Sequence, residues 1–155
     1  SYGNFNRIDL SGAGGAALTD RLSYRIAGRY LSQDPALDNV QTDPAIPRGP
    51  DAAGGVRDEF GLRAQLRYET PGGSSLLLRG HYEEDNGINT TPRNDSLSVG
   101  DHEISSEGLG LKDTDNEFYG LALEGETQTG PWTLYSLSAL EGYGQDYGFD
   151  FGDYP

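Results

Sequence analysis

Residues 21–33 read RLSYRIAGRYLSQ, and two chemistries alternate along them with a period of two. Leu22, Tyr24, Ile26, Gly28 and Tyr30 fall on one side; Ser23, Arg25, Ala27 and Arg29 fall on the other. Successive side chains of a β-strand point to opposite faces. An apolar face topped by a tyrosine, backed by a face with two arginines, suits a wall between hydrocarbon and water. The stretch therefore predicts a transmembrane β-barrel strand.

Composition fits that reading. The chain has 155 residues, of which 34% are hydrophobic, and its mean hydropathy is -0.64. These values are poor for a compact soluble core, but a barrel needs apolar residues only in short patches on one face, so its overall hydropathy stays low. No apolar run approaches the roughly 18 residues of a membrane helix. With 23 Gly and 10 Tyr, the chain favours strands and turns over helix. A net charge of -14 and the lack of a Lys/Arg cluster argue against a nucleic-acid partner. The absence of Cys removes disulfides, thiolate metal sites and cysteine nucleophiles. No signal peptide is visible, and the chain reads as a fragment that starts in the tail of a strand.

The same alternation recurs along the sequence. Strands are expected at about 6–17, 21–33, 57–68, 74–83, 116–126 and 132–143. Ile8, Leu10, Gly12, Gly14 and Ala16 share one face of the first. Gly12, Gly14 and Ala17 also spell G-x-G-x-x-A, the form of a dinucleotide-binding turn. That turn must open a helix, and here it runs into Thr19-Asp20 and another strand. In later strands the apolar sides are Phe60, Leu62, Ala64, Leu66 and Tyr68; Leu76, Leu78, Gly80 and Tyr82; and Tyr119, Leu121 and Leu123. The last strand, WTLYSLSALEGY, is apolar on both faces; its serines suggest Tyr135, Leu137 and Ala139 outward, with Ser136 and Ser138 inward.

Connections sort by length. Short turns are expected at Thr19-Asp20, Pro71-Gly72-Gly73 and 127–130. Long loops are expected at 34–55, where four prolines oppose regular pairing, at 84–115, and from 144 onward. The loop 84–115 carries eight acids against Arg93 and Lys112. Leu97-Ser98-Val99 and Glu103-Ile104-Ser105 are candidate small strands within it. Short turns at one end and long loops at the other are the asymmetry of outer-membrane barrels. Tyr30, Tyr82, Tyr143, Phe60 and Tyr119 lie near the long loops, and Tyr68 and Trp132 near the short turns. Two aromatic girdles are implied.

These residues resemble a known family, the TonB-dependent outer-membrane receptors. Residues 2–34, YGNFNRIDLSGAGGAALTDRLSYRIAGRYLSQD, are similar to the family's opening barrel hairpins: a Tyr-Gly-Asn segment, a strand, a Leu-Thr-Asp turn, and a strand of the type Leu-x-x-Arg-x-Ala-x-x-Tyr, here Leu22, Arg25, Ala27 and Tyr30. Residues 63–85 and 132–143 add to the likeness. The resemblance implies an all-β, antiparallel transmembrane β-barrel, of which 1–155 is part of a larger barrel of about 22 strands. It further implies a plug that contacts TonB, location in the bacterial outer membrane among its lipids, and energised uptake of a scarce small-molecule nutrient such as a metal chelate.

Candidate ligand-binding residues are the aromatic series Tyr143, Tyr147, Phe149, Phe151 and Tyr154, which offers rigid contact area, and Arg63, Arg67 and Arg79, whose guanidinium groups pair with carboxylates. Arg25 and Arg29 are expected to face a plug in the lumen. Plug carboxylates, or Asp9 and Glu59 on neighbouring strands, are the natural partners of such arginines. No catalytic residue, cofactor or metal site is assigned. His81 and His102 are the only histidines, and Asp113-x-Asp115 lacks the glycine and distal glutamate of a calcium loop, although loop oxygens are plentiful. Glu83 and Glu84 would point to opposite faces, and no serine sits in a nucleophile elbow. No enzyme is read. Two other readings stand beside the receptor: a small outer-membrane barrel acting as an adhesin or structural protein, and a soluble carbohydrate-binding β-sandwich.

Overall fold

The computed structural model describes residues 1–39, 52–87, 103–104 and 114–146. All regular structure among them is β: β1 (Ile8–Thr19), β2 (Leu22–Gln33), β3 (Leu37–Asn39), β4 (Ala52–Gly54), β5 (Arg57–Glu69), β6 (Ser75–Gly87), β7 (Glu103–Ile104), β8 (Thr114–Thr129) and β9 (Trp132–Asp146). The six long strands form one sheet in the order β1-β2-β5-β6-β8-β9, with every neighbouring pair antiparallel. The sheet is open, because β1 and β9 are its two ends and do not pair with each other.

Each tight turn has a local cause. Between β1 and β2, the Thr19 hydroxyl accepts hydrogen bonds from the backbone N–H of Arg21 (3.2 Å) and Leu22 (3.0 Å), a side-chain mimic of a turn. Between β5 and β6, Thr70 and Ser74 close the loop, while Gly73 takes φ +81°, a conformation that strains any residue with a Cβ. β8 runs to Thr129, into the turn expected at 127–130, and the connection is the pair Gly130-Pro131. Gly130 has φ +60°, and proline fixes the next φ near -65°. That combination suits a two-residue hairpin.

The strands depart from the predicted bounds mostly by being longer. The first begins at Ile8 rather than residue 6, because Phe5 and Asn6 take φ +56° and +49° and reverse the chain. Tyr2 then bridges back to Ile8, and Asp34 N–H donates to the Phe5 carbonyl at 2.9 Å. β6 continues to Gly87, β8 starts at Thr114 and β9 extends to Asp146, so 84–115 is shorter as a connection than its charges suggested. Backbone pairing does not need apolar side chains, and acids tolerate a strand wherever their heads stay hydrated. Within 34–55, β3 pairs with β4 and runs parallel to β7. The prolines do not prevent this pairing, because both short strands fall between or beyond them. Of the candidate small strands, Glu103–Ile104 forms; Leu97-Ser98-Val99 and Ser105 lie outside the described residues.

The register sorts the sheet into two faces. Gly12↔Gly28 and Leu10↔Tyr30 pair across β1 and β2; Tyr30↔Phe60, Gly28↔Leu62 and Leu22↔Tyr68 across β2 and β5; Leu66↔Leu78 across β5 and β6; and Leu78↔Leu123 and Tyr82↔Tyr119 across β6 and β8. All lie on one apolar face. Beyond Tyr82 and Tyr119 this face turns acidic, with Glu84 opposite Glu117.

On β9 the expected facing is reversed. Leu140 pairs with Leu121, Ser138 with Leu123 and Leu134 with Thr127, so these residues join the apolar face. Tyr135, Leu137 and Ala139 stand on the polar face, opposite Glu126, Glu124 and Ala122. An even-length connection puts odd-numbered residues of β8 opposite even-numbered residues of β9. Backbone parity therefore overrides the polarity of two small serines.

Nothing among the described residues covers the apolar face. Leu31, on the polar face, is the one buried hydrophobic residue among those described, whereas Ile26 is 46% exposed, Leu121 54% and Leu140 73%. An apolar surface spread over six strands exceeds what a soluble monomer ordinarily leaves to water.

Candidate functional site

The polar face carries most of the charged side chains of the sheet, and cross-strand spacing of about 5 Å lets arginines reach carboxylates on the next strand. Arg29 forks onto Asp9, with Nη2–Oδ2 at 2.9 Å and Nε–Oδ1 at 3.3 Å, and its other terminal nitrogen lies 3.7 Å from Glu59. Arg57 also pairs with Glu59. Arg63 donates to Glu83 at 2.6 Å. Arg79 pairs with Glu124 across β6 and β8, and Arg67 reaches Glu69 on its own strand at 3.2 Å. Arg25 alone of the predicted series makes no ion pair among the described residues. It stands opposite Gly15 on one side and Gln65 on the other.

Two depressions open on this face. One, of about 440 Å³, lies over Arg29, Arg57, Glu59, Arg63 and Glu83. The other, of about 460 Å³, spans β5 to β9 and is lined by Arg63, Arg79, His81, Phe118, Leu137 and Glu141. Both have the size of small-molecule sites. In the second, register places His81, Gly120 and Glu141 side by side on three adjacent strands. Because residue 120 has no side chain, its neighbours lean over it: a Cβ there would stand 3.0 Å from His81 Nε2 and 3.2 Å from Glu141 Cγ. The imidazole is held by Phe118, with ring centres 4.8 Å apart and planes inclined at 30°.

The structure thus brings Arg63 and Arg79 to one depression and Arg29 and Arg63 to the other, with Arg63 shared between them. Arg67 lies further along β5, paired with Glu69. Tyr143 stands on the polar face opposite Phe118, 62% exposed, but does not line either depression. Tyr147, Phe149, Phe151 and Tyr154 lie outside the described residues, as do Arg93, His102, Lys112 and Asp113. His81, Phe118, Leu137 and Glu141 had no signal of their own in the sequence. They form a site only through the pairing of β6, β8 and β9, and the serine-based facing of β9 had turned Leu137 and Glu141 away from it. Among the described residues no three His, Asp or Glu side chains are grouped to hold a metal ion. No helix among them is long and apolar enough to cross a membrane, a statement that leaves strands untouched. Set against known proteins, the chain matches no family model, no curated protein and no solved structure.

Proposed function

We propose that this sheet is part of the wall of a transmembrane β-barrel in the bacterial outer membrane. In this reading the barrel is a receptor of the TonB-dependent kind that takes up a scarce small-molecule nutrient such as a metal chelate. The observation that carries the membrane part is the continuous, uncovered apolar face of six long strands.

Its dimensions support the reading. From Leu22 to Tyr30 the face rises about 26 Å along the strand, or about 20 Å along the membrane normal at a tilt of about 40°, within an apolar band of about 25 Å. Tyr30, Phe60, Tyr82 and Tyr119 line one margin of that band, and Tyr68 and Trp132 the other. Glu84 and Glu117 begin the charged zone beyond it. The receptor part is supported by the resemblance of residues 2–34, 63–85 and 132–143. In this reading the polar face lines the lumen, most of its arginines are neutralised by wall carboxylates, and Arg25 is left to pair with a plug. Coupling to TonB belongs to that plug, which we do not assign to these 155 residues.

Spin labels placed in turn at positions 22 to 29 of the full-length protein in lipid vesicles test the reading. Positions 22, 24, 26 and 28 are expected to relax with oxygen, which partitions into lipid, and 23, 25, 27 and 29 with a water-soluble nickel chelate. Uniform access to the chelate would remove the bilayer and leave the soluble sandwich. Uptake by cells lacking TonB tests the receptor separately: transport that continues unchanged without TonB would overturn that part.

A further inference from the structure

The depression of about 460 Å³ that spans β5 to β9 combines an apolar floor with a polar rim whose charges are already matched. We infer that it binds a neutral oligosaccharide, with hydroxyl groups on the rim and the C–H faces of the sugar rings on the floor. As a binding site this stands apart from the membrane reading; that the saccharide is the nutrient taken up rests on it.

The floor belongs to β8 and β9. Phe118, Ala122, Leu137 and Ala139 line it, with Ala122 directly opposite Ala139. Leu137 is 55% exposed, so the floor is open to a ligand. On the rim, Arg63, Gln65, Arg79 and Glu83 stand on β5 and β6, and Glu141 stands on β9 at the far side. These groups are within reach: the side chains of Arg63, Arg79 and Glu83 are 72%, 45% and 43% exposed, and Gln65 and Glu141 are exposed as well. They are also underused. Arg63 commits one terminal nitrogen to Glu83 and Arg79 one to Glu124, which leaves most of the N–H donors of each guanidinium free. Gln65 and Glu141 have no hydrogen bond or ion pair among the described residues. His81 Nε2, by contrast, is shielded against the backbone of Gly120 and takes no part.

The balance of charge selects a neutral ligand. Each rim arginine is matched by a carboxylate, Arg63 by Glu83 and Arg79 by Glu124, so an anion gains little from them. A cation drawn to Glu141 would meet the two guanidinium groups across the floor. A hydrocarbon would strip water from the rim without replacing its hydrogen bonds. A sugar hydroxyl is both donor and acceptor. It can accept from Arg63, Gln65 or Arg79 and donate to Glu83 or Glu141, while an apolar ring face covers Phe118 and Leu137. Width sets the length of the ligand. From β5 to β9 there are three inter-strand spacings, about 14 Å at about 4.8 Å each. A single sugar ring is too short to join the two sides, and a short chain of them is not.

Cellobiose, maltose and N-acetylated chitobiose serve as neutral probes, with cellobionate as an anionic and deacetylated chitobiose as a cationic counterpart. The full-length protein is titrated calorimetrically in a polyoxyethylene detergent, which carries no sugar of its own. Saturable binding of at least one neutral probe is expected, with glucose weaker by about tenfold or more and the charged counterparts no tighter than their neutral parents. Gln65→Ala and Phe118→Ala should each weaken that probe by about five- to tenfold. Four results would overturn the inference: no saturable binding of any neutral probe, glucose equal to the disaccharides, a charged counterpart tighter by about tenfold or more, or both variants unaffected, which would place the sugar elsewhere on the protein. Gln65 is exposed and makes no bond, so Gln65→Ala keeps the test intact if Phe118→Ala fails to fold. A negative result here leaves the spin-label and TonB experiments untouched, and their failure would leave a saccharide site on a sheet in another setting.

Discussion

Glycine has two different meanings in this sheet, and single residues separate them. At Gly142 the ring of Tyr119 lies over the backbone, so a Cβ would fall 2.6 Å from its hydroxyl oxygen. At Gly12 nothing lies within 4 Å. Both residues lie on the apolar face. Gly142→Ala is expected to destabilise the fold by about 1 kcal/mol or more, since the ring must leave its place. Gly12→Ala is expected to be neutral or to stabilise by about 0.5 to 1 kcal/mol, through a less disordered unfolded chain and better strand geometry. Denaturant midpoints of the two variants decide it. Equal shifts would mean that Tyr119 does not pack on Gly142. Gly120 follows the same logic on the polar face, where an absent side chain lets His81 and Glu141 both come close to the backbone.

At the scale of elements, β9 is where residue chemistry and chain geometry disagree. Its two serines suggest one facing, whereas the Gly130-Pro131 turn and the ladder to β8 impose the other. If the apolar face meets lipid, spin labels at Leu134 and Leu140 should favour oxygen, while labels at Tyr135 and Leu137 should favour the nickel chelate. The reverse pattern would restore the serine-based facing and dissolve the depression at Gly120, because Leu137 and Glu141 would leave it. The other five long strands were legible from alternation alone, since each carries one clearly apolar side. Their ends were not, because a ladder of backbone hydrogen bonds continues through acids such as Glu84, Asp85 and Asp115.

For the whole molecule, the antiparallel meander gathers the turns at Asp20, Gly72 and Gly130 at one end of the sheet. The bridge of Tyr2 to Ile8 and the small sheet of β3, β4 and β7 belong to the other end. These 155 residues contain no cysteine, so a single cysteine placed among them has no competing thiol within this stretch. In the proposed orientation, a membrane-impermeant maleimide applied to intact cells should label a cysteine at Asp38 or Gly87 and spare one at Asp20, Gly72 or Gly130. Labelling only at the turns would invert the orientation. The open edges of β1 and β9 carry a further consequence. In hydrocarbon, unpaired backbone groups cost several kcal/mol each, and bacterial barrels begin at eight strands. A bilayer setting therefore requires that other strands pair with both edges.

The sequence by itself determined that this protein is built from long antiparallel strands with one apolar face, because a period of two is written into residues 8–30 and 60–82 and needs no partner to be read. It also determined two of the tight turns, since Thr19-Asp20 and Gly72-Gly73 carry their own backbone preferences; the third was expected at 127–130, and the ladder between β8 and β9 moves it to Gly130-Pro131. Tertiary structure decided what faces what. Arg29 finds Asp9 and Glu59, and Arg79 finds Glu124, only through register. His81 and Glu141 both come close to the backbone of Gly120 only because β8 places a residue without a side chain between them. Periodicity describes one strand at a time, and a site on a sheet is made across strands.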